Sequence, residues 1–339
     1  MIDYDNGIGI AGLSARLDAT RGCELGFVSH AHSDHARRHQ KIIATPETAL
    51  LYKNRFRNVP ARVLPYNRPT KIDDVTVELL PSGHMLGAAQ IMVRGHGKRI
   101  LYTGDFKVYP NLTCAPLETR RCDVLIMEST YGDPQYVFPP QAQVYSQVVM
   151  FIQRCVDERK LPVLVGYAMG KAQEAVKLAQ SQGFEVAVDS AVGRICEIYR
   201  SAGVPLGSTP NWRSTEMQGK VLVVTPQTLK KEEYQRLPRK RSVFLSGWAQ
   251  GGNARRFNSA DHSLPLSDHA DFSQLLGYIE QCRPEKIFTL HGSPKFAQLL
   301  RDRGWDAEFL GKGEKVQVTP KVKPRSSKPV SHGQNYELF

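Results

Sequence analysis

The six residues His30-Ala31-His32-Ser33-Asp34-His35 follow directly on the apolar run Gly26-Phe27-Val28-Ser29. Short runs of β-branched and large apolar residues, closed by polar ones, read as strands. Three imidazoles and a carboxylate therefore stand on a loop that leaves a strand. Nitrogen and oxygen donors at that density can serve two metal ions side by side. Zinc suits the donor set, and manganese and iron also fit, because the affinity order alone does not choose. A plain polar surface loop is the alternative. It is a poor one for a run this dense in a chain with only ten histidines.

Further donors end other strands. His84 lies in SGHMLGAA (82–89) after the strand VTVELL (75–80), Asp105 in LYTGDF (101–106), and His291 in LHGS (290–293) after KIFTL (286–290). A lone histidine at a strand end is more often structural than a ligand. Several such donors change the odds, because strand ends on one edge of a sheet converge. Asp18, in ARLDATRG (15–22), reads equally as a turn residue or as a carboxylate that orients a ligand histidine.

At 339 residues the chain is long enough for about two domains. Its 41% hydrophobic and 23% charged content excludes wholesale disorder, collagen and a coiled-coil rod. No apolar run approaches the ~20 residues that cross a bilayer, and the N-terminus lacks the pattern of a secretory leader. Six scattered cysteines without a CxxC pair predict reduced thiols and a cytoplasmic protein. The net charge of +12 suits a polyanionic partner, though a protein can be basic without one.

Residues 1–134 read mainly as strands. Over 135–246 strands alternate with helices, the signature of a parallel α/β unit. Residues 247–311 return to a helix, a strand and a helix. From 312 the chain is basic and rich in Pro and Ser, which predicts a disordered tail over 312–339.

The order Asp18, HAHSDH, His84, Asp105 resembles the first four motifs of the metallo-β-lactamase fold. Glu128 in LIMESTYG (125–132), His269 in LSDHADF (266–272) and His291 in LHGS resemble motifs A, B and C of the β-CASP nucleases. GYAMGKAQE (166–174) is similar to the strand-to-helix turn of their inserted domain. TCAPLETRRCDVLIMEST (113–130) and LSGWA (245–249) look most like the prokaryotic DNA-ligase-associated exonucleases. The resemblance covers roughly residues 15–310. It implies an α+β fold, a four-layer αββα sandwich with an inserted α/β β-CASP domain. It also implies two divalent metal ions, zinc or manganese. His30, His32 and His84 would hold the first, Asp34, His35 and His291 the second, with Asp105 between them. Asp34, Asp105, Glu128 and His269 form the implied catalytic set. His269 is the general acid, and Glu128 holds its tautomer. From the residues alone, SDHADF also reads as an ordinary helix cap.

The function implied is a two-metal nuclease, a DNA exonuclease in repair, with DNA favoured over RNA. The rivals are an RNA-processing β-CASP enzyme and a glyoxalase-II-type thioester or lactone hydrolase. DNA ligase and a repair helicase are the implied protein partners. Lys171 and Gln173 open a helix after Gly170, where N–H groups favour phosphate. Arg255 and Arg256 suit backbone phosphates, and Trp248 suits base stacking. Each has a structural alternative: an ordinary βα turn, or a buried indole. Asn335–Phe339 (NYELF) resembles peptides that dock in the bacterial sliding clamp, with Asn335 in the usual Gln place. A frayed terminus is the alternative there.

Overall fold

The computed structural model describes residues 1–251, 260–311 and 313–316. Arg255, Arg256 and Asn335–Phe339, and the expectations attached to them, lie outside the described residues.

The strand Val124–Glu128 shows why the chain layers as it does. Its side chains alternate between two faces, as the strand period dictates. Val124 and Ile126 point into one core with Ile8, Phe27, Ile43, Val77 and Phe288. Leu125 and Met127 point into another, against Leu275, Ile279, Phe296 and Leu300. A strand apolar on both faces must lie inside, with a layer on each side.

Those layers are two seven-stranded mixed sheets packed face to face. The inner one runs Ala307–Phe309, Lys286–Leu290, Val124–Glu128, Lys98–Tyr102, Ala89–Gly95, Val75–Pro81, Thr70–Ile72. The helices Phe272–Cys282 and Pro294–Asp302 cover its outer face. On the far side of the second sheet, Tyr52 of the helix Pro46–Arg55 packs on Val28, Ile42 and Ala44. The result is the αββα sandwich that the sequence led us to expect.

The register pairs Val124–Glu128 in parallel with both Lys98–Tyr102 and Lys286–Leu290. Val75–Pro81 and Lys98–Tyr102 each run antiparallel to Ala89–Gly95, and so parallel to one another. Four strands of one sheet thus end at the same edge. His84, Asp105, Glu128 and His291 follow or close those ends.

A third sheet of five parallel strands intervenes in the chain between Glu128 and Lys286: Val186–Val188, Val221–Val224, Leu161–Val165, Lys240–Leu245 and His262–Leu264. Its last strand lies beyond 246 and pairs with Lys240–Leu245. The helix Gln141–Asp157 buries Val144, Val148, Ile152 and Cys155, a 4-4-3 spacing that keeps one apolar stripe on that sheet. Asp189 caps the helix Ser190–Ser201 by accepting from the N–H groups of Ala191 and Val192, and it also binds Thr225 and Thr228.

Glu314–Val316 was expected within a disordered tail. Instead it is an edge strand, antiparallel to Ile2–Asp5. Main-chain hydrogen bonds depend little on composition, so a polar stretch can close a sheet edge that already offers partners.

The third sheet is wired to the sandwich by buried charges. Lys107 Nζ reaches Glu174 Oε1 at 2.7 Å, and Tyr145 donates to the same carboxylate. Both members of the pair are buried. Breaking such a pair by removing one partner strands the other charge, at a cost of about 3–5 kcal/mol. Lys107→Met should therefore lower the unfolding free energy by about that amount, read from urea midpoints. A loss of about 1 kcal/mol, the size of an exposed pair, would show that Glu174 does not depend on the lysine.

Candidate metal centre and cleft

Asp105 sits at the edge where the strands end, held by a turn that begins at Gly104 with φ 54°. Its carboxylate is buried. Oδ2 lies 3.5 Å from His30 Nε2, 3.3 Å from His35 Nε2 and 3.9 Å from His84 Nε2. Oδ1 lies 3.7 Å from His291 Nδ1. Two histidine-rich donor groups meet there, His30, His32, His84 and Asp105 in one and His35, Asp105 and His291 in the other, and Glu128 and His269 form a third with Asp105, each with its ligand atoms within 4.8 Å of one another.

The outer nitrogen of each inner histidine has a protein partner. His30 Nδ1 meets Ser29 Oγ at 3.0 Å, and His84 Nδ1 meets the Asp268 carbonyl at 2.8 Å. His32 Nε2 meets the Met169 carbonyl at 3.0 Å, and His35 Nδ1 meets Asp18 Oδ2 at 2.7 Å. This fixes which nitrogen faces inward, the usual support of a metal-binding imidazole. Asp18 is itself held by Ser29 and by the Tyr102 hydroxyl at 2.8 Å. It sits at φ 44°, a conformation that Asp tolerates better than most residues.

These residues fit divalent cations. His35 Nε2 and Asp105 Oδ1 are buried without a hydrogen-bond partner. His32 Nδ1 is 3.1 Å from both His30 Nε2 and His84 Nε2, and one nitrogen cannot donate to both. A ligand imidazole must be neutral. Burial, then the neighbouring His269 and His32, pushes His84 down to about 3. Burial also drives His30 well below its ordinary value, whereas for His35 burial is overcome by the Asp105 and Asp18 carboxylates, which hold it well above. Asp105 is held well below the carboxylate range: burial opposes this, but His35 and His269 outweigh it.

Asp34 stands apart from these groups. Its side chain is 74% exposed and its Oδ2 lies 3.8 Å from His35 Nε2. Among the described residues it belongs to none of these donor groups. The turn that starts at Ser33 aims it outward, at the rim.

Glu128 and His269 meet as the motifs suggested. His269 Nδ1 is 3.0 Å from both Glu128 oxygens, which also accept from the Phe106 N–H and the Thr130 hydroxyl. With Nδ1 committed to Glu128, Nε2 is free for other work. Burial lowers the His269 pKa, but the Glu128 and Asp105 carboxylates more than offset it and raise it to about 9. The helix cap, by contrast, is Asp271, which accepts from Gln274 N in a capping box.

His291 adopts φ 57° and is followed by Gly292. A Cβ at Gly292 would lie 2.0 Å from the Ser129 carbonyl oxygen, so no other residue fits beside that strand.

Above the centre opens a cleft of about 930 Å³ between the sandwich and the third sheet. Trp248 is 37% exposed on its wall and packs on Tyr131 at 4.8 Å and Tyr136 at 5.3 Å. Lys171 and Gln173, expected to meet phosphate, are turned inward. Lys171 Nζ donates to the Leu266 carbonyl and pairs with Asp268 at 2.8 Å. The Gln173 side chain caps its own helix, bonding Gly170 N and the Ala168 carbonyl. Two contributors were not legible in the sequence, because nothing in their spacing marks them. One is the Met169 carbonyl on His32. The other is Tyr167, 54% exposed on the cleft wall.

Residues 260–310 match the family model described as Zn-dependent metallo-hydrolase RNA specificity domain. The chain is 33% identical over 328 residues to the protein named Probable DNA ligase of Opitutus terrae, covering 95% of this chain and 32% of that one. It is 26% identical over 298 residues to the DNA cross-link repair 1A protein of Mus musculus, covering 78% and 28%. To the 5′ exonuclease Apollo of Gallus gallus it is 26% identical over 340 residues, covering 91% and 69%. The chain thus spans about a third of the length of the first two relatives.

Asp18→Asn should weaken zinc binding by roughly 10–100-fold, because His35 would lose the carboxylate that orients it. Competition with a chromophoric chelator reads this directly. Unchanged affinity would mean that Asp18 serves only the turn.

Proposed function

The chain belongs to the β-CASP branch of the metallo-β-lactamase family, and on that premise we propose that it hydrolyses the phosphodiester backbone of nucleic acid. In this reading its substrate is DNA, shortened from an end during repair, with a DNA ligase as a working partner. The observation that carries it is the Glu128–His269 pair beside the two donor groups. A hydrolase of small thioesters has no evident use for a second acid at that place.

His30, His32 and His84 would hold one divalent ion, and His35 and His291 the other with Asp34 at the rim, while Asp105 would lie between them. Two such ions, when bound, supply a hydroxide from water near neutral pH and screen the charge on the phosphate. The chain's own residues do the rest. Asp18, Ser29 and the carbonyls of Asp268 and Met169 keep the imidazoles aimed inward. His269 Nε2 gives its proton to the leaving 3′ oxygen as the P–O bond breaks. Glu128 keeps that proton on the imidazole until then. Trp248 and Tyr167 offer faces for bases, which stack with little regard to sequence.

DNA is supported by the relatives' names, cross-link repair and 5′ exonuclease among them. One observation favours RNA as a second reading: the family model that matches residues 260–310 is described as an RNA specificity domain.

The test is a gel assay with zinc or manganese and matched DNA and RNA strands, labelled at either end. A ladder or mononucleotides from DNA, absent with Asp105→Ala, is the expected result. Cleavage of RNA alone would move the protein to the second reading, and cleavage of neither would sink both.

His269→Ala should cut kcat by roughly 10²–10⁴-fold, the usual worth of a positioned general acid. Glu128→Gln removes the carboxylate that raises His269, so the imidazole loses its proton at lower pH. The protonated form is the active one, so the alkaline fall in kcat/KM should move to lower pH. A limb that stays in place would assign it to another group.

A further inference from the structure

Some arginines on this surface have carboxylate partners, among them Arg94 with Glu78, Arg99 with Asp123, Arg120 with Glu118, Arg200 with Glu197 and Arg241 with Glu158. One group differs. Arg37 and Arg38 follow the histidine motif, and Arg55 and Arg57 stand at the end of the helix Pro46–Arg55 and just after it. All four are exposed. Among the described residues, none of the four forms an ion pair.

Arg55 reaches the cleft, and Arg37 is tied to a residue that lines it. Arg37 Nε donates to the Thr20 carbonyl at 3.2 Å, and Thr20 lines the cleft. Arg38 Nη1 donates to the Arg57 carbonyl at 3.5 Å. Arg55 lines the cleft beside Ser33 and Asp34, its guanidinium 5.0 Å from the Phe56 ring centre. Exposed positive charges without local counter-charges attract an anion from outside. Guanidinium groups are weakly hydrated forks that match phosphate oxygens.

We propose that Arg37, Arg38, Arg55 and Arg57 form a cationic lip that carries the phosphate backbone of a nucleic-acid strand toward the metal centre. This rests on the nuclease reading and deepens it. The lip belongs to the sandwich, whereas Tyr167 belongs to the third-sheet unit. A strand entering the cleft then lays its phosphates on the arginines and turns its bases toward the aromatic wall. The lip takes over the role that the inward-turned Lys171 cannot fill. It reads charge spacing and not sequence, so it serves DNA and RNA alike.

The test uses the metal-loaded full chain and a cleavage-resistant phosphorothioate oligothymidylate, with binding followed by fluorescence anisotropy across a salt series. For single strands, each lost phosphate contact flattens the slope of log K against log salt by about 0.7. Each of Arg37→Gln, Arg38→Gln, Arg55→Gln and Arg57→Gln should remove about that much, and the fourfold variant about 2.8. Arg154→Gln with Arg236→Gln, neither of which lines the cleft, should leave the slope in place. The side chains changed are exposed, and thermal midpoints check that each variant folds as the parent does. If the parent binds and the four single variants keep its slope, the lip is wrong and the nuclease reading stands. If the parent fails to bind nucleic acid even at low salt, the nuclease reading falls and the lip falls with it.

Discussion

A carboxylate with almost no access to water sits among four imidazoles, and the rest of the molecule is arranged around that fact. Asp105 touches both donor groups through its two oxygens. Burying an ionised carboxylate without compensation is prohibitive, so its neighbours must be cationic or hold cations. The need sets demands outward. The histidines must present chosen nitrogens, which calls for Ser29, Asp18 and two main-chain carbonyls behind them. Those partners sit on turns and loops that the packed strands and helices anchor. Four parallel strand ends on one sheet edge meet that demand.

The second unit also takes part in the site. Its strand-to-helix turn puts the Met169 carbonyl on His32. Two residues later, Lys171 pairs with Asp268, whose own carbonyl holds His84, and the next residue after Asp268 is His269. Lys107 and Glu174 repeat the link nearby. The cleft is therefore a seam between two folded units, with a first-rank histidine clamped from the far side.

Much of this was legible in the chain, because its signals are local or periodic. The alternation in Val124–Glu128 and the 4-4-3 spacing in Gln141–Asp157 declare their elements, and a dense histidine run declares a site. The short strands Ile2–Asp5, Gly7–Ile10 and Arg16–Leu17 were not read. Their identity comes from pairing partners elsewhere in the chain, which no local pattern records. Nor could sequence say that Lys171 points inward. A lysine at a helix start looks the same whether it faces phosphate or Asp268, and only the third dimension chooses. Nor does the run of ligand-type residues tell that Asp34 is the exposed one among them, 3.8 Å from His35 Nε2.

The strand Lys286–Leu290 pairs in parallel with Val124–Glu128, with an entire folded unit between them in the chain. Contacts between residues so far apart in sequence are slow to form, since a long stretch of chain must be ordered first. His291 rides on the end of that late strand. On a chain growing from its N-terminus, most of the donor side chains are made early, but His84 waits for the Asp268 carbonyl and the second group for His291 itself. Maturation of the centre is thereby timed by topology. The final donor docks only after both units exist to hold it.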